Sequence, residues 1–385
     1  MLSRRSALLG LGAAVSLGRV SLAMAAAATE RRFVVVLLRG ALDGLAAVAP
    51  YGDPAFTGLR GTLQPGAGGL LDLGGFYGLH PALAGMHGLY ARGELLPVHA
   101  VAGPVRTRSH FEAQDLMESG AEQRMTSGWL NRAVQGMAPS GPSGLPLSVG
   151  VSLPLLLRGA APVGAFAPQS FQRPQADLYA RLMALHEHDA VTGPAIREGL
   201  QERGFAGATL ADDRAPERNA FPALAIAAGK LLAAADGPRI AAMELGGWDT
   251  HAAQEQRLVG PLRQLDAGLM ALKAGLGEAW AQTAVLVITE FGRTVQLNGT
   301  GGTDHGTGAA AFVAGGAVAG GRVRADWPGL APGRLFEARD LQPTMDVRAL
   351  AKGLLRSHLR LPREAVARAF PGSEAVEPAQ GLLRG

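Results

Sequence analysis

The chain contains no cysteine. That excludes a disulfide framework, Cys-ligated zinc, iron–sulfur clusters and thiol catalysis. Lysine is scarce too: Lys230, Lys273 and Lys352 are the only three, so nearly all basic residues are arginine. Large net charge is also missing, with 36 Lys and Arg against 32 Asp and Glu for a formal +4. Arg4, Arg5 and Arg19 lie within the first 27 residues, which hold no acid, so the remaining 33 bases face 32 acids. A nearly neutral body gives no electrostatic case for a nucleic-acid partner. After that segment no run reaches the roughly 20 apolar residues, free of charge and Pro, that a transmembrane span needs. The 54 glycines show no triplet period, which excludes collagen, and 48% hydrophobic content excludes disorder. The 385 residues give room for a sizeable core. With no internal repeat and no long linker, one domain is expected over 28–385.

The N-terminus reads as an address. Ser3-Arg4-Arg5 precedes an apolar run from Ala7 to Leu17. Ala23-Met24-Ala25 and Ala25-Ala26-Ala27 then offer small-x-small cleavage patterns. The paired arginines resemble a twin-arginine export signal, which makes 1–27 a signal peptide and the mature protein periplasmic or extracellular. The absence of Cys suits a protein that folds before export, with its metal already loaded.

Six apolar runs read as buried strands: Phe33–Leu38, Leu95–Val101, Leu147–Val151, Ile240–Leu245, Ala284–Thr289 and Ala310–Ala314. Between them lie helical patterns. The clearest is Gln256–Leu276, where Leu258, Leu262, Leu265, Leu269, Leu272 and Leu276 make one apolar stripe. The stretch 172–221, with Leu178, Tyr179, Leu182 and Leu185 at helical spacing, reads as a helical insertion. Strands alternating with helices predict an α/β class and a mostly parallel, doubly wound sheet flanked by helices. In such sheets the ligand crevice lies beyond the carboxyl ends of the strands.

Polar residues follow those strands directly. Asp43, after the first strand, can bind a metal or serve as a turn residue. Ser109 with Glu112 three positions on matches a capping box that opens a helix. A hydroxyl there is also placed as a nucleophile. Arg106 and Arg108 beside it could hold phosphate or sulfate oxygens, or be solvated. Asp249 and His251, two apart after two glycines, are natural oxygen and nitrogen ligands. Glu290 is the first residue past a buried strand, with Arg293 as a candidate ion-pair partner. Asp304 and His305 stand in a Gly-rich loop that lacks the Lys of a phosphate-binding P-loop. His80, His87 and His99 read as core histidines, while His186, His188 and His358 read as solvated.

The motifs LRGALDGL, RTRSHFEAQDLMESG, GGWDTH, TEFGRT and GTDHGTG, in this order, together with Asp340–Arg348, resemble an exported bacterial family, domain of unknown function 1501. That family is similar in turn to the alkaline phosphatase and sulfatase superfamily. The resemblance implies an alkaline-phosphatase-like fold and a metal-dependent hydrolase of phosphate or sulfate esters. It implies Ser109 as nucleophile, with Thr107 second, and Arg106 or Arg108 on the non-bridging oxygens. It implies metal held by Asp43, Asp249, His251, Glu290 and His305. Where the superfamily has an Asp-His pair, this chain has Glu290-Phe291. Phe cannot ligate, so His110 or Asp304 would have to fill the gap; otherwise the site is degenerate or holds one ion. His110 and Arg293 are further candidates for contact with substrate. The ligand set suits one or two zinc or manganese ions. The expected partner is a small anionic ester. The rival expectation is a catalytically degenerate binding or assembly protein on the same fold, with a protein partner.

Overall fold

The computed structural model describes residues 29–63, 69–135, 137, 145–166 and 221–385. The proposed export segment lies outside these residues, as does the 172–221 insertion up to its last residue, along with His186 and His188.

The strands in chain order are β1 (Arg32–Leu38), β2 (Val48–Ala49), β3 (Leu71–Asp72), β4 (Gly78–Leu79), β5 (Leu95–Ala102) and β6 (Leu147–Val149), followed by β7 (Gly164–Phe166), β8 (Ile240–Leu245), β9 (Thr283–Thr289), β10 (Ala309–Ala314) and β11 (Met345–Asp346). Eight of them form one sheet in the order β11-β5-β10-β9-β1-β8-β6-β7, and β2, β4 and β3 form a small second sheet. In the large sheet only β10 runs against its neighbours, β5 and β9. The remaining pairs are parallel. This is the expected mostly parallel α/β sheet. The order places β1 between β8 and β9, so that sequence-distant strands adjoin.

The helices used below are α1 (Gly44–Ala47), α2 (Phe56–Arg60), α3 (Ala84–Ala91), α4 (His110–Ser119) and α5 (Trp129–Val134), then α6 (Phe221–Ala233), α7 (Gln254–Arg257), α8 (Val259–Leu276), α9 (Val347–Ser357) and α10 (Arg363–Ala369). They cover both faces of the sheet, which is why its central strands are continuously apolar. Side chains of β1 alternate between two cores. Val34, Val36 and Leu38 share one with Met86 of α3, Leu231 of α6 and Leu262, Leu265 and Leu269 of α8. Phe33, Val35 and Leu37 share the other with Trp129 of α5, Leu350 and Leu354 of α9, and Phe370 just past α10.

All six leucines of the predicted stripe are buried. The helix they define is interrupted at Leu258, between α7 and α8. Pro261 explains the break: it has no N–H to donate to the Arg257 carbonyl four residues back. Helices α6 and α8 pack closely because glycines meet. A Cβ on Gly229 would lie 2.6 Å from the Leu272 carbonyl oxygen, and one on Gly275 would lie 2.3 Å from that of Ile226. The strand expected over Leu147–Val151 stops at Val149, because Gly150 turns the chain at φ +140° and leaves Val151 exposed. Among the described residues no helix is long and apolar enough to cross a membrane.

Candidate metal centre

The carboxyl ends of β1, β5, β8 and β9 face one edge of the sheet. Because β10 is antiparallel, its preceding loop reaches that same edge. The edge therefore collects His110, which opens α4 after β5; Asp249 and His251 after β8; Glu290 and Arg293 after β9; and Asp304 and His305 before β10. The last two loops touch backbone to backbone. Gly306 N donates to the Gly292 carbonyl at 2.8 Å, and Arg293 bridges His305. A Cβ on Gly292 would lie 1.9 Å from the Gly308 carbonyl oxygen, so the glycines of FGR and HGTG are what let the loops close.

Three imidazoles meet there, and each has its Nδ1 engaged by an oxygen that can only accept. His110 Nδ1 lies 2.9 Å from Glu290 Oε1. His305 Nδ1 lies 2.8 Å from the Arg108 carbonyl, and His251 Nδ1 lies 3.1 Å from Asp304 Oδ1. An acceptor at Nδ1 calls for the proton there, and a ring that carries its one proton on Nδ1 presents an Nε2 lone pair. Those Nε2 atoms converge. His251 and His305 face one another Nε2 to Nε2 at 2.9 Å, and Asp249 Oδ1 lies 3.0 and 3.2 Å from the same two atoms. His110 Nε2 is 3.5 Å from Asp249 Oδ2 and is buried without a hydrogen-bond partner. Ligand atoms of His110, Asp249 and His305 all lie within 4.8 Å of one another. Opposed lone pairs at such distances repel unless a proton or a cation lies between them. Imidazoles oriented by carboxylate or carbonyl acceptors are the usual surroundings of a metal ligand. The donor set of imidazoles and one carboxylate thus fits a divalent metal ion.

Electrostatics around the cluster follow from its neighbours. Burial pushes the Glu290 carboxyl up, but hydrogen bonds from His110, Gln114 and the Gly40 amide hold it below the usual carboxylate range. The bond to Glu290 raises the His110 imidazole, whereas burial lowers that of His305. Arg293, with its side chain fully buried, donates to Asp249 Oδ1 at 2.7 Å and keeps that carboxylate ionised against the cost of burial. Phe291 stacks on His110 with ring centroids 4.9 Å apart and lies 5.1 Å from His305. It is a platform behind the imidazoles. The cluster is open on the other side: the side chains of Asp249 and His251 are 45% and 44% exposed.

The structure brings together Asp249, His251, Glu290, Asp304 and His305, and adds His110 to them. Within this group Glu290 and Asp304 orient histidines. Arg293 pairs with Asp249 rather than with Glu290. Asp43 stands apart: it is sealed in the interior, its carboxylate gripped by Arg60 and by Gln254 Nε2 at 2.6 Å while it caps α1 through the Leu45 and Ala46 amides. Its oxygens are committed to those donors, so its geometry is that of a structural ion pair. Ser109 takes the N-cap position of α4, but its hydroxyl caps nothing. The hydroxyl that reaches Glu112 is that of Thr107, at 2.7 Å, so the expected capping box does not form. The Arg108 guanidinium pairs with Asp340 and Glu337, and the residue serves the cluster through its carbonyl. Arg106 is exposed, donates to the Gly103 carbonyl and has no ion pair among the described residues. His99 is a core residue as expected, with Nε2 2.9 Å from the Val48 carbonyl. His358 is not solvated: it is buried, with Nε2 2.8 Å from the Arg32 carbonyl. Arg60, Gln114 and Gln254 carry no sequence signal, since their partners are remote along the chain.

The family assignment rests on residues 94–370, which match the sequence profile described as "Protein of unknown function (DUF1501)". The chain belongs to this family. His110, Asp249, His251, Glu290 and His305 all fall inside the matched stretch, and Asp43 and Arg60 fall outside it. No curated protein matches the chain. Among solved structures, a mutant TAB5 alkaline phosphatase with Mg bound aligns over 77% of this chain and 94% of its own, at 11% identity and a TM-score of 0.35. A likeness of that size says nothing about the site.

Proposed function

We propose that this chain is an exported, metal-dependent hydrolase of small phosphate or sulfate esters. One observation carries the reading: the Nε2 atoms of His251 and His305 meet at 2.9 Å beside Asp249, the buried Nε2 of His110 lies 3.5 Å from the same carboxylate, and the side chains of Asp249 and His251 are open to solvent. A closed cage would suit a structural ion, and partial exposure suits one that meets substrate. His110, Asp249, His251 and His305 would hold the metal. Zinc or manganese bound there supplies Lewis-acid chemistry, polarising an ester oxygen and lowering the pKa of an oxygen nucleophile.

The protein's own groups divide the remaining tasks. Ser109 is exposed at the start of a ten-residue helix, next to His110, with its hydroxyl uncommitted to a cap. In-line attack by that hydroxyl would form an Oγ–P or Oγ–S bond as the ester bond breaks, its proton passing to solvent and the alcohol leaving protonated, and water would then cleave the covalent intermediate. In this reading the amides at the helix N-terminus and the Arg106 guanidinium would hold non-bridging oxygens. Arg293 donates to Asp249 and to Thr303, and the Thr303 hydroxyl donates in turn to Gln254, so both would position rather than bind. Export by the twin-arginine route is part of the reading, on the strength of residues 1–27.

The test is a screen of aryl phosphates, phosphodiesters and aryl sulfates on zinc- or manganese-loaded protein. Ser109→Ala is expected to lower the rate on any cleaved ester by at least about 100-fold while metal content is unchanged. Full activity in Ser109→Ala would remove the serine from the mechanism. Stoichiometric metal with no cleavage of any ester would favour the binding-protein alternative.

A further inference from the structure

The stretch Asp340–Arg348 belongs to the sequence pattern but supplies no candidate ligand. Asp340 nevertheless lies at the junction of the loops that carry the cluster. It is fully buried, and its Oδ2 accepts from Arg108 Nε at 3.1 Å, Arg108 Nη2 at 2.7 Å and Thr307 Oγ1 at 2.8 Å. Its backbone bridges Thr294. One carboxylate therefore gathers donors from the loop after β5 and the loop before β10, on both sides of His305. The Arg108 carbonyl accepts from His305 Nδ1, and Thr307 is two residues beyond that histidine. The neighbouring Arg339 donates to the His305 carbonyl at 2.6 Å.

Resting on the metal-centre reading, we infer that Asp340 is a positioning residue that sets the tautomer of His305 through Arg108. The logic is one of donors and acceptors. A carboxylate only accepts, so it can hold a guanidinium and a hydroxyl at once. With Arg108 held, its carbonyl stays where it takes the Nδ1 proton of His305, and Nε2 keeps its lone pair. An amide at position 340 loses the charge-assisted grip. Arg108 then follows Glu337 toward solvent, its carbonyl shifts, and the proton of His305 can move to Nε2, where it competes with a metal. Loss of such an outer partner typically weakens metal binding by about 10- to 100-fold.

The test uses Asp340→Asn, Arg108→Met and the double variant, with folding checked by thermal melt. Arg108 is partly exposed, so its truncation keeps the experiment informative should Asp340→Asn fold poorly. Two quantities are read: cobalt(II) affinity from its visible absorption, and the ¹⁵N shifts of the metal-free histidines. Each single variant is expected to bind cobalt on the order of 10-fold more weakly, and the double variant no more weakly than either single. Wild-type His305 should show a protonated Nδ1 and a bare Nε2, and the variants a mixture of tautomers. Independent, multiplying losses in the double variant, or an unchanged His305 tautomer, would overturn the inference. If the wild type binds no cobalt, the metal-centre reading falls, and the nitrogen shifts alone decide whether Asp340 positions His305.

Discussion

Asp43 and Arg60 are both closed off from solvent, and they anchor a polar chain that runs to the cluster. Gln254 donates to Asp43 and accepts from the Thr250 and Thr303 hydroxyls; Thr303 accepts from Arg293, and Arg293 donates to Asp249. Arg60 keeps the Asp43 carboxyl below its ordinary range although burial alone would raise it. Removing one partner of such a pair leaves a buried charge uncompensated. Arg60→Met is therefore expected to cost about 3–5 kcal/mol in urea unfolding, with a partial recovery in Asp43→Asn/Arg60→Met. A loss below about 1 kcal/mol would mean that Asp43 is not held by Arg60. At this scale the sequence is half legible. Asp249, His251, Glu290, Asp304 and His305 can be found because each directly follows a strand or stands in a Gly-rich loop. Asp43 reads as a metal ligand for the same reason, and nothing in the chain announces that Arg60, on a short helix of its own, neutralises it. His110 is read as a filler for the ligand missing at Phe291 or as a contact to substrate, and the sequence alone does not choose between the two. Phe291 marks the position that lacks a ligand, and the imidazole that stacks on it comes from another strand end.

Helix α8 shows how elements acquire stability here. Its leucine stripe is buried against the sheet, and its glycines admit α6 at contact distance. Leu265 is 0% exposed, so Leu265→Ala should cost about 2–5 kcal/mol, part transfer and part cavity. Denaturant melts read this, and a cost below about 1 kcal/mol would mean that the stripe is not core. The central strands and this helix are readable in advance, because continuous apolar runs and a leucine period report burial directly. The direction of β10 is not readable, since an apolar run carries no sign of its polarity. That reversal matters, because it delivers Asp304 and His305 to the edge where β5 and β8 deliver His110 and Asp249.

For the molecule as a whole, two histidines that are buried away from the cluster among the described residues set an acid limit. His99 and His358 are pushed down to about 4, in each case first by burial. Both are neutral in the folded protein at pH 7 and take up protons more readily once unfolded. Stability from this source is complete above about pH 6.5 and is lost as pH falls from there towards about 4, by up to about 3 kcal/mol per histidine. Urea midpoints between pH 7 and pH 4 check the sign, and His358→Gln should flatten part of the slope. Stability that stays level through that window would contradict the burial of these rings.

The central claim is that His110, Asp249, His251 and His305 hold a metal. The direct measurement is metal content by plasma mass spectrometry on protein purified without chelator, wild type beside His305→Ala. The expected result is about one or two zinc or manganese ions per chain in the wild type and marked loss in the variant. Wild-type protein without stoichiometric metal, even after incubation with excess ions, would contradict the account.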